Sequence, residues 1–279
     1  VLFSILRKVT PPATLLDSST PQYQAWQWML RSDQLPQSAT QPEGRILQRY
    51  AATTLTFSLA RSEDTMVPLR LATLSECQWT GFTCTDSLLI EKVQLPSFNL
   101  SGVIPNEVGV LSNLEYLDLA ENQLRGSIPN GLYDISSLKF LYLFSNQFTG
   151  TLDEDIAQLT QLEELMAGEN RLSGSIPTGL GGRIGGGVIR PLRKLSLYKN
   201  QFSGRLPTAW RLRRLVLLDL GHNLLTGPIP EEWAEGSLIQ LRLLYLDHNQ
   251  LIGSISFPER ICGTINELLL STLILLKIF

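Results

Sequence analysis

Two histidines, His222 and His248, are the only imidazoles among the 279 residues, and each stands immediately before an asparagine with an aspartate close behind it, in Asp219-Leu220-Gly221-His222-Asn223 and Asp247-His248-Asn249. Equivalent slots on adjacent strands would place such a pair about 5 Å apart. Two imidazoles with Asp219 or Asp247 make a donor set for a transition metal, or a group that titrates near neutral pH. The plainer alternative is two exposed histidines set by register, so no resident metal or other cofactor is expected. Other chemistry is hard to build. The glycine run Gly181-Gly182-Arg183-Ile184-Gly185-Gly186-Gly187 is not followed by Gly-Lys-Ser/Thr and is read as a flexible insertion rather than a phosphate-binding loop. Kinase signatures of the Asp-Phe-Gly and His-Arg-Asp type do not occur. An enzyme is not expected.

The elements that must carry these residues follow from a periodic pattern. Asn122, Asn146 and Asn170 recur at intervals of 24, and Asn200, Asn223 and Asn249 continue in steps of 30, 23 and 26 by difference of their positions. Around each lies the frame seen in Leu114, Tyr116-Leu117-Asp118-Leu119, Asn122, Leu124, Gly126 and Ile128-Pro129. An imperfect first turn runs through Ile90, Val93, Leu95, Leu100, Gly102 and Ile104-Pro105, with Phe98 in the asparagine slot. Alternation puts Leu117 and Leu119 on one side of a short strand and Tyr116, Asp118 and Ala120 on the other. Where the chain turns after the strand, backbone groups lose their ladder partners; an amide side chain can satisfy them and pair with the next turn. Asn122, Asn146, Asn170, Asn200, Asn223 and Asn249 are therefore expected to form a buried structural ladder. No single turn buries its leucines alone, so the array folds as a unit.

Self-similarity at this period is the signature of a leucine-rich solenoid. The second half of each repeat names a subclass: Leu100-Ser101-Gly102-Val103-Ile104-Pro105, Leu172-Ser173-Gly174-Ser175-Ile176-Pro177, Phe202-Ser203-Gly204-Arg205-Leu206-Pro207 and Leu225-Thr226-Gly227-Pro228-Ile229-Pro230. This resembles the plant-type leucine-rich repeat and the ectodomains of plant leucine-rich repeat receptors. The resemblance implies an α/β leucine-rich repeat solenoid with a parallel concave sheet, a second short strand on the Gly-x-Ile-Pro side and a helical N-terminal cap. Gly150-Thr151-Leu152-Asp153 and Gly253-Ser254-Ile255-Ser256 lack the proline, and a weaker second strand is expected there.

Ahead of the array, Cys77-Gln78-Trp79-Thr80-Gly81-Phe82-Thr83-Cys84 looks like the Cys-x-Trp-x-Gly-x-x-Cys signature of the plant-type cap. That resemblance implies a disulfide between Cys77 and Cys84, hence an oxidising compartment: extracellular, cell surface or secretory lumen. Cys262 is left over. Asn99-Leu100-Ser101 fits a glycosylation acceptor, which points to the same compartment. Earlier, Thr20-Pro21 with Tyr23, Trp26 and Leu30 reads as N-cap, first-position proline and apolar face. Ile46, Leu47, Tyr50 and Leu55 continue in a second helix after Pro42-Glu43-Gly44. The segment from Thr20 to Ala25 resembles the cap of diatom and other algal L domain-like proteins, although 61–68 lacks the tryptophan that family carries. The organisation expected is a leader over 1–19, read as a disordered stretch or the remnant of a signal or membrane segment. A cap over 20–86, the solenoid over 87–258 and a divergent C-terminal cap or truncated final repeat over 259–279 follow. The apolar stretch from Leu268 to Phe279 is about twelve residues, short of the roughly 20 that span a bilayer, so membrane attachment would use segments outside this chain.

With 43% apolar residues and a net charge of −3, the chain is neither disordered nor polybasic, which argues against nucleic acid as a partner. Charge is local: Asp153, Glu154, Asp155, Glu163, Glu164 and Glu169 are followed by Arg190, Arg193, Lys194, Lys199, Arg211, Arg213 and Arg214. Either this is an ordinary solvated surface or it steers a partner. Register stacks the outward strand residues into rows: Gln94, Asp118, Tyr142, Met166, Ser196, Asp219, Tyr245, and beside them Pro96, Ala120, Phe144, Gly168, Tyr198, Gly221, Asp247. Tyr116, Phe140 and Leu217 also face outward. The candidate ligand-binding residues are Tyr116, Asp118, Phe140, Tyr142, Phe144, Met166, Tyr198, Lys199 and Tyr245, with exposed Phe140, Tyr142 and Phe144 as the anchor, since aromatics are enriched at binding hot spots. The function expected is a receptor-like recognition module for a protein, peptide or glycan; the alternative is a structural or adhesive matrix protein.

Overall fold

The computed structural model describes residues 2–31, 42–60, 75–181, 191–233, 238–253 and the strand Glu267–Leu269. The expectations that concern 61–68, Arg190, Cys262, most of the glycine run at 181–187 and the residues after 269 lie outside those residues.

Eight solenoid turns each contribute one strand to a single sheet: turn 1 Ile90–Gln94, turn 2 Tyr116–Asp118, turn 3 Phe140–Tyr142, turn 4 Glu164–Met166, turn 5 Lys194–Ser196, turn 6 Leu217–Asp219, turn 7 Leu243–Tyr245 and turn 8 Glu267–Leu269. A ninth strand, Phe82–Cys84, closes the N-terminal edge antiparallel to turn 1; all other pairings are parallel. The array therefore continues past residue 258, because turn 8 pairs with turn 7 through Leu243 and Glu267. The observed register sets Gln94 beside Asp118, Tyr142, Met166, Ser196, Asp219 and Tyr245 in turn, which is the expected central row. Beneath it Leu117, Leu119, Leu141, Leu143, Leu165, Leu195, Leu218, Leu220, Leu244 and Leu246 are fully buried. Ala120, expected to face outward, is buried as well, since the strands are only three residues long and the chain has begun to turn.

A second sheet of six short strands begins just after each asparagine, for example Gln147–Thr151, Gln201–Arg205 and Leu224–Pro228. At Gly150 the missing proline does not shorten the strand, and at Gly253 the residues that follow lie outside those described. The strand Gln147–Thr151, in a repeat with Asp153 in the proline slot, has five residues, whereas Arg125–Gly126, followed by Ile128-Pro129, has two. The slot lies beyond the strand and caps the next helical turn: Pro129 precedes Asn130–Tyr133, and the Asp153 carboxylate accepts the Asp155 N–H at 2.8 Å before Glu154–Gln158.

The asparagines hold the turns together, but backward rather than forward. The Asn122 amide donates to the carbonyls of Leu119 and Ala120 in its own turn and to Leu95 of the turn before, while its Oδ1 accepts the Leu100 N–H. Asn146, Asn170, Asn200, Asn223 and Asn249 repeat this set, as in Asn170 with Leu143, Ala167, Gly168 and the Phe148 N–H. Asn122, Asn170, Asn200 and Asn223 are buried; Asn146 and Asn249 are half-buried. The residue before each asparagine takes a left-handed conformation, with φ of 55° at Glu121, 54° at Ser145, Glu169 and His222, 48° at Lys199 and 51° at His248. Such a geometry costs a non-glycine residue roughly 1–2 kcal/mol and persists where surrounding bonds over-determine it. The consensus glycine needs left-handed φ too, at Gly126, Gly150, Gly174, Gly204 and Gly227. Gly102 is glycine for another reason: a Cβ there would run into the Ser58 carbonyl.

That carbonyl belongs to the cap. Helices α1 (Leu2–Leu6), α2 (Pro12–Leu16), α3 (Pro21–Arg31) and α4 (Glu43–Leu59) precede the disulfide-bonded pair Cys77 and Cys84, whose Cα atoms are 5.4 Å apart. Thr20 caps α3 as expected, its Oγ1 accepting the Tyr23 N–H at 3.1 Å. The buried stripe of α3 is Ala25 and Met29, whereas Leu30, expected on the apolar face, is half exposed. Residues 2–19 are not a disordered stretch. Leu6 and Leu15 are fully buried with Ala25, Met29 and Tyr50, and the buried Thr10 hydroxyl donates to the buried Glu107 carboxylate of turn 1. Apolar residues in two short helices and one polar bolt make this segment part of the cap.

Replacing Asn170 by alanine removes one acceptor and leaves the Phe148 N–H and the carbonyls of Leu143, Ala167 and Gly168 without their amide partner. The expected loss is about 1–3 kcal/mol, read as a lowered thermal midpoint. A variant as stable as the parent would show that the amide bonds do not hold the turn.

Candidate functional site

The concave sheet carries two chemically distinct ends. At turns 2 to 4, cross-strand neighbours Tyr116 and Phe140 have ring centroids 5.5 Å apart, and Tyr116 meets Tyr142 edge-on at 5.3 Å. The Tyr142 hydroxyl donates to Glu164 Oε2 at 2.7 Å. Burial, joined by that hydrogen bond and the Glu164 charge, pushes the Tyr142 phenol well above its ordinary range. Phe144 and Met166 are half-buried beside them. The aromatics are thus not the fully exposed anchor expected: each cross-strand pair contributes on the order of 0.2–1 kcal/mol to folding.

The row that begins at Pro96 alternates small and large: Ala120, Phe144, Gly168, Tyr198, Gly221, Asp247. The glycines make room for the next turn. A Cβ on Gly168 would stand 3.1 Å from the Tyr198 carbonyl, and one on Gly221 only 2.8 Å from Asp247 Oδ1 and 3.4 Å from the Tyr198 ring.

At turns 5 to 7 the surface is polar. Asp219 Oδ1 accepts the Gly221 N–H at 3.1 Å and Oδ2 the Ser196 hydroxyl at 3.3 Å. Burial drives its carboxyl up to about 6, with a smaller push from the Asp247 charge. Asp118 makes the same bond to the Ala120 N–H in turn 2 and is also raised, by burial and then by Glu121. Asp247 is 8% exposed and lies between the two histidines: its Oδ2 is 2.8 Å from His248 Nδ1 and 3.5 Å from His222 Nε2. The imidazoles stack at 3.8 Å, and Tyr198 meets His222 edge-on at 5.1 Å. The neighbourhood expected from register is therefore present, with Asp247, not Asp219, as the shared carboxylate.

The structure thus joins Tyr116, Phe140 and Tyr142, and separately Tyr198, His222 and His248; Tyr142 and Asp219 are three strands apart in the same row, roughly 14 Å by strand spacing. Tyr245 stands next to Asp219 in register. Lys199 Nζ lies 5.0 Å from the Tyr198 ring and 3.0 Å from Glu169 Oε1. With Lys194 to Glu164 at 3.0 Å and Lys139 to Glu115 at 2.7 Å, part of the charge is paired across adjacent turns. Partly exposed pairs of this kind stabilise little. Asn99 is exposed on the flank. Sequence reasoning left out Glu164, Ser196 and Gly221 as partners in the site; each is one strand away from a named residue in the register, which is the signal that would have found them.

A parallel sheet of 24-residue turns, closed by a disulfide-bonded cap and bolted by asparagines, defines a leucine-rich repeat solenoid. The leucine-rich repeat family profiles match residues 91–148 and 214–235. The chain is 40% identical over 214 residues to Receptor-like protein 36 of Arabidopsis thaliana, which covers 68% of this chain and 28% of that protein. Among solved structures it is similar to the ectodomain of the plant membrane receptor kinase GASSHO1/SCHENGEN3 of Arabidopsis thaliana, in complex with CASPARIAN STRIP INTEGRITY FACTOR 2. That match has 30% identity and a TM-score of 0.70, over 83% of this chain and 27% of that one. The HAESA ectodomain of Arabidopsis, in complex with an IDA peptide hormone ligand, matches at 25% identity with a TM-score of 0.58, over 85% and 41% of the two chains. The chain thus carries leucine-rich repeats and is similar to plant leucine-rich repeat receptor proteins, and it spans about 28% of the length of the curated relative it matches. Among the described residues no helix is long and apolar enough to cross a membrane.

The raised Asp219 carboxyl yields a pH signature. Between the ordinary value of 3.8 and about 6 the folded chain holds this proton more tightly than the unfolded chain, so its contribution to stability falls as pH rises through that window. Asp219→Asn keeps an acceptor and has no charge to bury. Its thermal midpoint should match the parent near pH 4 and exceed it by a few degrees above pH 6; a difference independent of pH would contradict the buried-carboxyl account.

Proposed function

We propose that this chain is the recognition part of a receptor-like protein and that it takes an extended peptide along the concave sheet. The observation that carries the reading is the continuous central row from Gln94 to Tyr245, in which Tyr142 is flanked by the half-buried Tyr116, Phe140 and Phe144 of the adjoining rows, an apolar surface for a partner. Six strand steps of about 4.8 Å make roughly 29 Å, the length of about nine extended residues. Similarity to a receptor ectodomain bound to a peptide hormone supports the peptide class over a glycan. The Cys77–Cys84 disulfide and the exposed Asn99 acceptor support an extracellular or lumenal setting.

The test is binding of a synthetic peptide library followed by substitution. Phe144→Ala combined with Tyr142→Phe, which retains the ring and its contact with Tyr116, should weaken the selected peptides by more than tenfold, about 1.4 kcal/mol. Circular dichroism should report an unchanged fold. Peptides that bind the double variant as tightly as the parent would move the ligand off this patch, toward the flank around Arg193, Lys194 and Lys199.

A further inference from the structure

We propose that His222, Asp247 and His248 bind one divalent transition-metal ion of the zinc–copper group at the rim of the concave face, between turns 6 and 7. One ligand atom from each residue lies within 4.8 Å of the others. The Asp247 Oδ2 distances of 2.8 Å to His248 Nδ1 and 3.5 Å to His222 Nε2 bracket the roughly 3.3 Å that separates two ligand atoms, each about 2.0–2.1 Å from a tetrahedral ion.

The backbone holds these donors before any ion arrives. His222 and His248 occupy the same left-handed slot in consecutive turns. The His222 N–H donates to the Asp247 carbonyl at 2.9 Å and the Asn223 N–H to the His248 carbonyl at 3.2 Å, which fixes the two Cα atoms side by side. Asp247 is largely desolvated already and fits because Gly221 has no side chain. Tyr198 supports the edge of the His222 ring.

The donor set decides the class of ion. Two imidazole nitrogens and one carboxylate suit zinc, copper or nickel, whereas magnesium and calcium prefer all-oxygen shells. Three protein ligands leave a tetrahedral ion one position for water or a ligand group. The rings now stack within 11° of parallel, so their lone pairs do not converge. A shared ion requires one ring to turn about its Cβ–Cγ bond, a torsion with broad wells, in side chains that are 35% and 48% exposed.

This inference stands apart from the peptide reading, since the metal alone is the probe. Tag-free protein, stripped with a chelator, is titrated with Zn2+, Cu2+ and Mg2+ by calorimetry and thermal shift. Expected are saturable one-to-one binding of Zn2+, tighter binding of Cu2+, and no response to Mg2+. His222→Asn and His248→Asn, chosen because asparagine tolerates left-handed φ, should each weaken Zn2+ by at least tenfold. The electron paramagnetic resonance spectrum of the parent's Cu2+ complex should show nitrogen splitting from two imidazoles, a readout that decides even where a variant fails to fold. Absence of saturable Zn2+ or Cu2+ binding below about 1 mM, a spectrum without two nitrogens, or unchanged affinity in the two folded single variants would overturn the site.

Discussion

The bridging asparagine amide is the interaction on which the rest depends. Each turn must reverse direction through a left-handed residue that is not glycine, and it must do so with its carbonyls facing inward where water is scarce. The amide resolves both problems together. Its Nδ2 gathers two carbonyls of its own turn and one of the turn before, while Oδ1 takes an N–H from that earlier turn, as Asn200 does with Leu197, Tyr198, Ala167 and the Leu172 N–H. Forward linkage comes from the strained residue itself, whose N–H reaches the next turn, as Glu121 reaches Phe144 and Lys199 reaches Gly221. Backward amide and forward backbone bond thus clamp each turn from both sides.

The direction of the amide explains the N-terminal end of the array. Turn 1 has no earlier solenoid turn to reach, so its slot is filled by Phe98, which packs partly against the core. The duties of an earlier turn fall to the cap: the strand Phe82–Cys84 pairs with turn 1, the Leu59 carbonyl takes the Ser101 N–H, and Ser58 Oγ donates to the Val103 carbonyl. Glu76, buried against Arg45 at 3.2 Å and Arg49 at 3.0 Å, and Glu107, which accepts from Thr10 and Gln22, secure the cap's polar interior. Burying carboxylates is costly unless they are bonded, and both are.

What was legible in the sequence follows from what is local and periodic. The asparagine series gave the turns, and strand alternation gave the concave rows residue by residue, because parallel pairing of identical turns leaves register little freedom. The role of residues 2–19 was not legible. Their helices are one turn long, carry no repeat, and are defined by contacts with residues up to 97 positions away, as between Thr10 and Glu107. Exposure was not legible where tertiary packing decides it: Ala120 is covered as the chain turns, Leu30 on helix α3 is not, and Tyr142 is held by Glu164 of the next strand. The role of the proline slot was misread because Asp153 and Pro129 look unlike in sequence yet both start a helical turn.

Repetition also explains how one scaffold carries two different chemistries on one face. The backbone lattice fixes where each side chain starts, and the left-handed slot holds a strip that runs Ser97, Glu121, Ser145, Glu169, Lys199, His222 and His248. Neighbours along it pair wherever their chemistry allows: Ser97 with Glu121 at 2.6 Å, Ser145 with Glu169 at 2.7 Å, Glu169 with Lys199 at 3.0 Å, and the two imidazoles by stacking. A left-handed backbone position tolerates exchange of its side chain, since its conformation recurs in turns 1 to 7 whatever residue stands there, even at Ser97, where Phe98 and not an asparagine follows. Small residues in the adjoining row then decide which neighbours can lean across, as Gly221 does for Asp247 and Tyr198. Function on such a surface is written by two variable positions per turn, while the leucines and the amide keep the spacing constant.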